Sequence, residues 1–134
     1  MAENTEAIYK GTGRRKTSTA RAHIKLGKDG MTVNDRPIET YFSGPVSAMV
    51  YTRPFKVTNT LARFTGSIKV SGGGLEGQLE AVAHAISRAL LKFDPELKIQ
   101  LRKHKLLTRD PRMKESLKYG MAHAARAKKS SPKR

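Results

Sequence analysis

From Thr19 to Leu26 the chain alternates between apolar and polar residues. Ala20, Ala22, Ile24 and Leu26 share one face, while Arg21, His23 and Lys25 share the other. A period of two predicts a strand with one side in a core and one basic side in solvent. Gly27-Lys28-Asp29-Gly30 reads as a turn, and Met31 and Val33 then alternate with Thr32 and Asn34, so the two stretches are expected to pair as a β-hairpin. Asn34-Asp35-Arg36-Pro37 has the chemistry of a helix start, a capping side chain followed by proline. A short helix is expected through Tyr41-Phe42, ending near Gly44-Pro45. A second is expected from about Val46 to Arg53, where Pro54 would limit it. Phe55 to Phe64 gives no clear period. Ser67 to Ser71, with Ile68 and Val70 opposite Lys69, predicts another strand.

After Gly72-Gly73-Gly74 the period changes. Leu79, Val82, Ile86, Leu90 and Phe93 recur every three or four residues and form one stripe of a helix, with Glu80, His84 and Arg88 on another face. Asp94-Pro95 stops this helix and starts a short one, Glu96 to about Lys105. Beyond Asp110-Pro111 no apolar period persists. Interleaved strands and helices without long crossovers predict an α+β fold, a mixed β-sheet with helices packed on one face. In 134 residues there is room for one domain and an appendage. The expected division is a globular domain over 1–105 and an extended basic tail over 106–134.

Charge sharpens that division. The net charge is +16, yet 12 of the 27 Lys and Arg lie between Leu101 and Arg134 against only Asp110 and Glu115. A balanced middle with a strongly basic end points to a partner, because self-repulsion gives a fold nothing. Nucleic acid is the usual partner of such a segment, and a solvated tail is the plain alternative. A membrane surface would require bulky apolar residues on the opposite face of a basic helix, and beyond Tyr119 there are only Met121 and alanines. The absence of cysteine excludes disulfides and thiolate metal sites. The polar, acidic start Met1-Ala2-Glu3-Asn4-Thr5-Glu6 is unlike a secretory signal, so a cytoplasmic protein is expected.

Two glycine motifs invite chemistry. Gly72-Gly73-Gly74-Leu75-Glu76-Gly77 matches the dinucleotide-binding spacing between a strand and a helix, but the second strand with its ribose-binding acid is missing. A tight turn with a helix packed close to the sheet explains the same residues. A helix start holding an RNA phosphate is a third reading. Gly11-Thr12-Gly13-Arg14-Arg15-Lys16 lacks P-loop spacing. Its glycines would let the backbone approach a partner while Arg14, Arg15 and Lys16 grip phosphates, with Arg21 and Lys25 continuing the basic face. A solvated hairpin loop is the alternative. His23, His84, His104 and His123 show no metal spacing, and no nucleophile–base arrangement is recognisable, so neither a cofactor nor an enzyme is expected. With eight aromatics, and Tyr119 alone after Leu101, binding should rest on phosphates and shape.

These segments together resemble the small-subunit ribosomal protein nine family in its bacterial form. The resemblance is carried by Gly11 to Lys16 with Ala20-Arg21, by Val33-Asn34-Asp35-Arg36-Pro37 with Tyr41-Phe42, and by Gly72 to Gln78. His84-Ala85-Ile86, Arg88-Ala89-Leu90, Leu107-Thr108-Arg109-Asp110-Pro111-Arg112 and the final Lys133-Arg134 extend it over nearly the whole chain. It implies a fold of the ribosomal-protein-S-five second-domain type, seated in the head of the small subunit beside other head proteins. It also implies small-subunit ribosomal RNA contacts by the basic residues above and by Arg109, Arg112, Arg126, Lys128 and Lys129. Lys133 and Arg134 would reach peptidyl-site transfer RNA. The family's tails are richer in arginine than Ala127-Lys128-Lys129-Ser130-Ser131-Pro132-Lys133-Arg134. A basic architectural nucleic-acid-binding protein is the alternative function.

Overall fold

The computed structural model describes residues 7–61, 63–112, 115–120 and 125. Five strands, β1 (Tyr9–Arg15), β2 (Ser18–Leu26), β3 (Met31–Val33), β4 (Arg36–Pro37) and β5 (Phe64–Ser71), form one sheet in the order β1-β2-β5-β3-β4. The helices are α1 (Ile38–Tyr41), α2 (Pro45–Val57), α3 (Leu75–Phe93) and α4 (Lys98–Lys103), with a 3-10 turn at Pro95–Leu97. All pairings are antiparallel except β3 with β5, so the sheet is mixed and the fold is α+β as expected.

The long helix sits where the periodicity put it. Val82, Ile86 and Leu90 are fully buried, and they meet Ala20, Ala22 and Ile24 of β2 and Ile68 and Val70 of β5 in one core. An aromatic corner closes one end: Phe93 packs edge-on against Tyr9 at 5.3 Å and Phe64 at 5.0 Å. Alternation along β2 is as read, with Arg21, His23 and Lys25 exposed.

Four expectations are corrected. First, β2 and β3 do not form a hairpin, because β5 lies between them and pairs with both. The true hairpin is β1 with β2, where Arg15 faces Ser18 across Lys16-Thr17 and Lys16 takes a left-handed φ of 54°. Secondly, Asn34 and Asp35 start no helix. Both have positive φ, 50° and 67°, the twist that a two-residue turn between β3 and β4 requires. The Asn34 side chain instead imitates backbone at the end of the sheet. It accepts from the Val70 N–H at 3.0 Å and donates to the Val70 carbonyl at 3.1 Å.

Thirdly, α2 runs through Pro54 to Val57. A proline costs the helix one hydrogen bond, and burial of Tyr51, Pro54 and Phe55 offsets it. The Thr58 hydroxyl donates to the Pro54 carbonyl at 2.9 Å and so helps end the helix. Fourthly, the last helical stretch is split. The Asp94 carboxylate accepts from the Glu96 N–H at 3.0 Å and caps the 3-10 turn, which leads into α4.

Candidate nucleic-acid interface

The pleat sorts the sheet into two unlike faces. One carries the core. The other presents Lys10 and Arg14 from β1, Arg21 and Lys25 from β2, and Lys69 from β5, all exposed. Thr12, Thr19, Ser67 and Ser71 stand among them, and no Asp or Glu lies on these strands. The register puts Thr12 opposite Arg21 and Arg21 opposite Lys69, a row across three strands. Like charges directly opposite each other destabilise a sheet. This row therefore costs stability in the isolated protein and becomes favourable when an anion covers it.

Adjacent to this face, Lys16 stands exposed at the tip of the β1–β2 turn. Arg15 does not join it. Its side chain is only 10% exposed on the inner face of β1, where Nε donates to Glu80 of α3 and Nη2 lies 3.4 Å from Asp110. Nη1 donates to the Arg112 carbonyl at 2.9 Å. All three of its nitrogens are thus engaged inside the molecule, and Arg14 and Lys16 are the cations of this loop that stand exposed.

Arg112 is exposed but forks onto Asp110, with Nη2 at 2.7 Å from Oδ2 and Nε at 3.0 Å from Oδ1. These bonds from Arg112, with the neighbouring Arg15, hold the Asp110 carboxyl well below the usual carboxylate range. Arg109 is exposed. Arg126, Lys128, Lys129, Lys133 and Arg134 lie outside the described residues.

The glycine motifs serve packing. A Cβ on Gly11 would lie 2.2 Å from the Ala85 carbonyl oxygen, and one on Gly13 would lie 2.0 Å from that of Ala81. Ala81, Ala85 and Ala89 of α3, all fully buried, make a small-residue stripe against which β1 lies backbone to backbone. The partner that these glycines approach is the protein's own helix. Gly72 and Gly73 have φ of 77° and 61°, and a Cβ on Gly73 would lie 2.2 Å from the Ser18 hydroxyl. That is the tight-turn reading of the Gly72–Gly77 motif. Among the described residues no group of His, Asp and Glu could hold a metal ion.

His84 closes the same region from α3. Its Nε2 lies 3.2 Å from the Leu107 carbonyl, which can only accept, so Nε2 carries the proton. Nδ1 is buried without a partner. Burial first, and then the charges of Arg88 and Arg109, lower the pKa of this imidazole, against the Leu107 bond that raises it. It is a packing histidine that helps fasten the chain after α4 to the domain.

A sheet with one apolar face under helices and one acid-free basic face defines a class of proteins that dock onto polyanions. The chain belongs to the family described as ribosomal protein S9/S16, whose model matches residues 13–134. It is 47% identical over 122 residues to the small ribosomal subunit protein uS9 of Thermotoga petrophila, covering 89% of this chain and 91% of that protein. As a member of this family it is a structural protein of the ribosome and not an enzyme. No helix among the described residues is long and apolar enough to cross a membrane.

Proposed function

We propose that this protein is a structural constituent of the small ribosomal subunit in the cytoplasm. Its open sheet face and Lys16 bind small-subunit ribosomal RNA in the head, beside other head proteins. The tail continues along RNA through Arg109, Arg126, Lys128 and Lys129 until Lys133 and Arg134 reach peptidyl-site transfer RNA. The observation that carries this reading is the set of exposed cations that β1, β2 and β5 present on one face, with no acid on these strands. Phosphate is the natural counter-charge for such a face, and hydroxyls between the cations are further donors to phosphate oxygens. Kinship with the uS9 protein of Thermotoga petrophila supports the small subunit as the site of assembly.

The test is the triple variant Arg21→Gln, Lys25→Gln, Lys69→Gln, assayed for binding to small-subunit ribosomal RNA over a salt series. The slope of log affinity against log salt should shrink by about 2–3 units, because each neutralised phosphate releases close to one counterion. The melting temperature should hold or rise, since a like-charge row has been removed. An unchanged slope would take the sheet face out of the interface. Equal binding to duplex DNA of the same length would favour a general architectural protein.

A further inference from the structure

A cleft of about 680 Å³ lies between α2, α3 and the chain after α4. Val46, Met49 and Val50 of α2 line one side of it. Val46 and Met49 are 72% and 66% exposed, unusual for large aliphatic side chains on one helix in adjacent turns. The rim is cationic, with Arg53, Lys56 and Lys105 joined by Arg14, which also belongs to the basic sheet face. The two acids that border the cleft, Glu80 and Asp110, are already paired with Arg15 and Arg112. The space therefore offers an apolar wall, four cations that form no ion pair among the described residues, and direct continuity with the proposed RNA surface.

The geometry points to a site for a single unpaired ribosomal RNA nucleotide, its base against Val46 and Met49 and its flanking phosphates on Arg14, Arg53, Lys56 and Lys105. This inference deepens the RNA-binding reading above and rests on it. The volume falls in the range of pockets that enclose small molecules, and a paired base cannot leave its stack to enter. Loops and bulges of structured RNA present splayed bases, and proteins hold these on apolar side chains and on guanidinium planes such as that of Arg53. An acidic peptide with an apolar anchor would match the charge as well. The nucleotide is favoured because Arg14 makes the cleft one surface with the acid-free sheet, so one polyanion can cover both.

Two measurements on the full chain decide it. In small subunits assembled with Met49→p-benzoylphenylalanine, irradiation should join the protein to ribosomal RNA at one unpaired nucleotide, read as a reverse-transcription stop. Crosslinks only to a neighbouring protein, or only to paired nucleotides, or none, would overturn the site. The double variant Val46→Ser, Met49→Ser removes apolar surface and no charge. Its affinity for small-subunit ribosomal RNA should fall about tenfold with an unchanged salt slope, and its melting temperature should hold because both side chains are exposed. If this variant binds like the wild type while the Arg21, Lys25, Lys69 variant loses slope, the cleft is wrong and the sheet face stands. If the sheet variant also keeps its slope, the RNA-binding reading itself has failed.

Discussion

Arg14 and Arg15 are neighbours in one strand, and the pleat sends them to opposite faces with opposite fates. Arg14 stays in solvent, while Arg15 is turned inward and held by carboxylates from α3 and from the chain beyond α4. Nothing in Arg-Arg-Lys distinguishes the two until the strand and its phase are known. His84 is a second residue whose setting decides its chemistry. Its pKa is lowered from about 6.5 by burial, so the unfolded chain takes up the proton more readily than the folded one. Stability from this group is therefore complete above about pH 6.5 and lost as pH falls through the depressed folded value. We expect urea midpoints to decline between pH 7.5 and 5.5, and less steeply in His84→Gln. Asp110, also lowered, acts in a separate window: its contribution is complete above the ordinary carboxylate range at about pH 4 and is lost as pH falls from there through the depressed folded value, where its ion pairs fail. Parallel pH curves for wild type and His84→Gln would mean that the imidazole is as free to charge in the fold as outside it.

Elements with a strong internal period were readable: β2, the end of β5 and α3 lie where alternation and the three-to-four spacing placed them. β1 was not, because Gly11 and Gly13 supply no side chain to a pattern and weaken a strand considered alone. Their reason lies in α3, where Ala81, Ala85 and Ala89 leave room for backbone contact. The parallel pairing of β3 with β5 was hidden for a similar cause, since its two strands are separated by β4, α1 and α2 and local turn chemistry favoured a hairpin. The basic sheet face was legible in half, from Arg21 and Lys25, and its width came only from the register. The glycine–alanine contact makes a sharp prediction about the β1–α3 interface. Gly13→Ala should lower unfolding free energy by about 2–3 kcal/mol, the upper part of the usual range for overpacking a close-packed interior, because the new methyl meets helix backbone. Gly74→Ala is the control. Its Cβ would meet nothing within 4 Å, and its cost should stay near or below about 1 kcal/mol. Equal urea midpoints for both variants would show that β1 can move off the helix cheaply.

At the scale of the molecule, a nearly balanced middle leads into a strongly charged end. From Gly120 to Arg134 there are five Lys and Arg, no acid and only Met121 as a large apolar side chain, too little to bury a core. Fully extended, such a stretch reaches roughly 50 Å. Deleting Lys128–Arg134 should leave a folded protein that enters small subunits. Those subunits should hold peptidyl-site transfer RNA somewhat less tightly, and the deficit should shrink as salt is added, because ionic contacts are screened. Filter binding at two salt concentrations, with subunits rebuilt from full-length or shortened protein, measures it. Equal affinities would reduce the tail to an anchor on ribosomal RNA.

The inner face of β1 also sets an order of events during synthesis. Tyr9 rests on Phe93, Gly11 and Gly13 on the Ala81–Ala89 stripe, and Arg15 on Glu80 and Asp110. Each of these partners is made after residue 79, so the inner face of β1 waits for α3 and the chain beyond it. At 5–20 residues per second the wait from Gly13 to Ala89 lasts roughly 4–15 s. Until then Arg15 lacks Glu80 and Asp110, its partners in the fold. A chain stopped at Gly74 should accordingly show no cooperative melting and be cut readily by trypsin, whereas one stopped at Arg112 should resist. A protease-resistant 1–74 fragment would mean that the β1–β2 hairpin and its neighbours hold together before α3 exists.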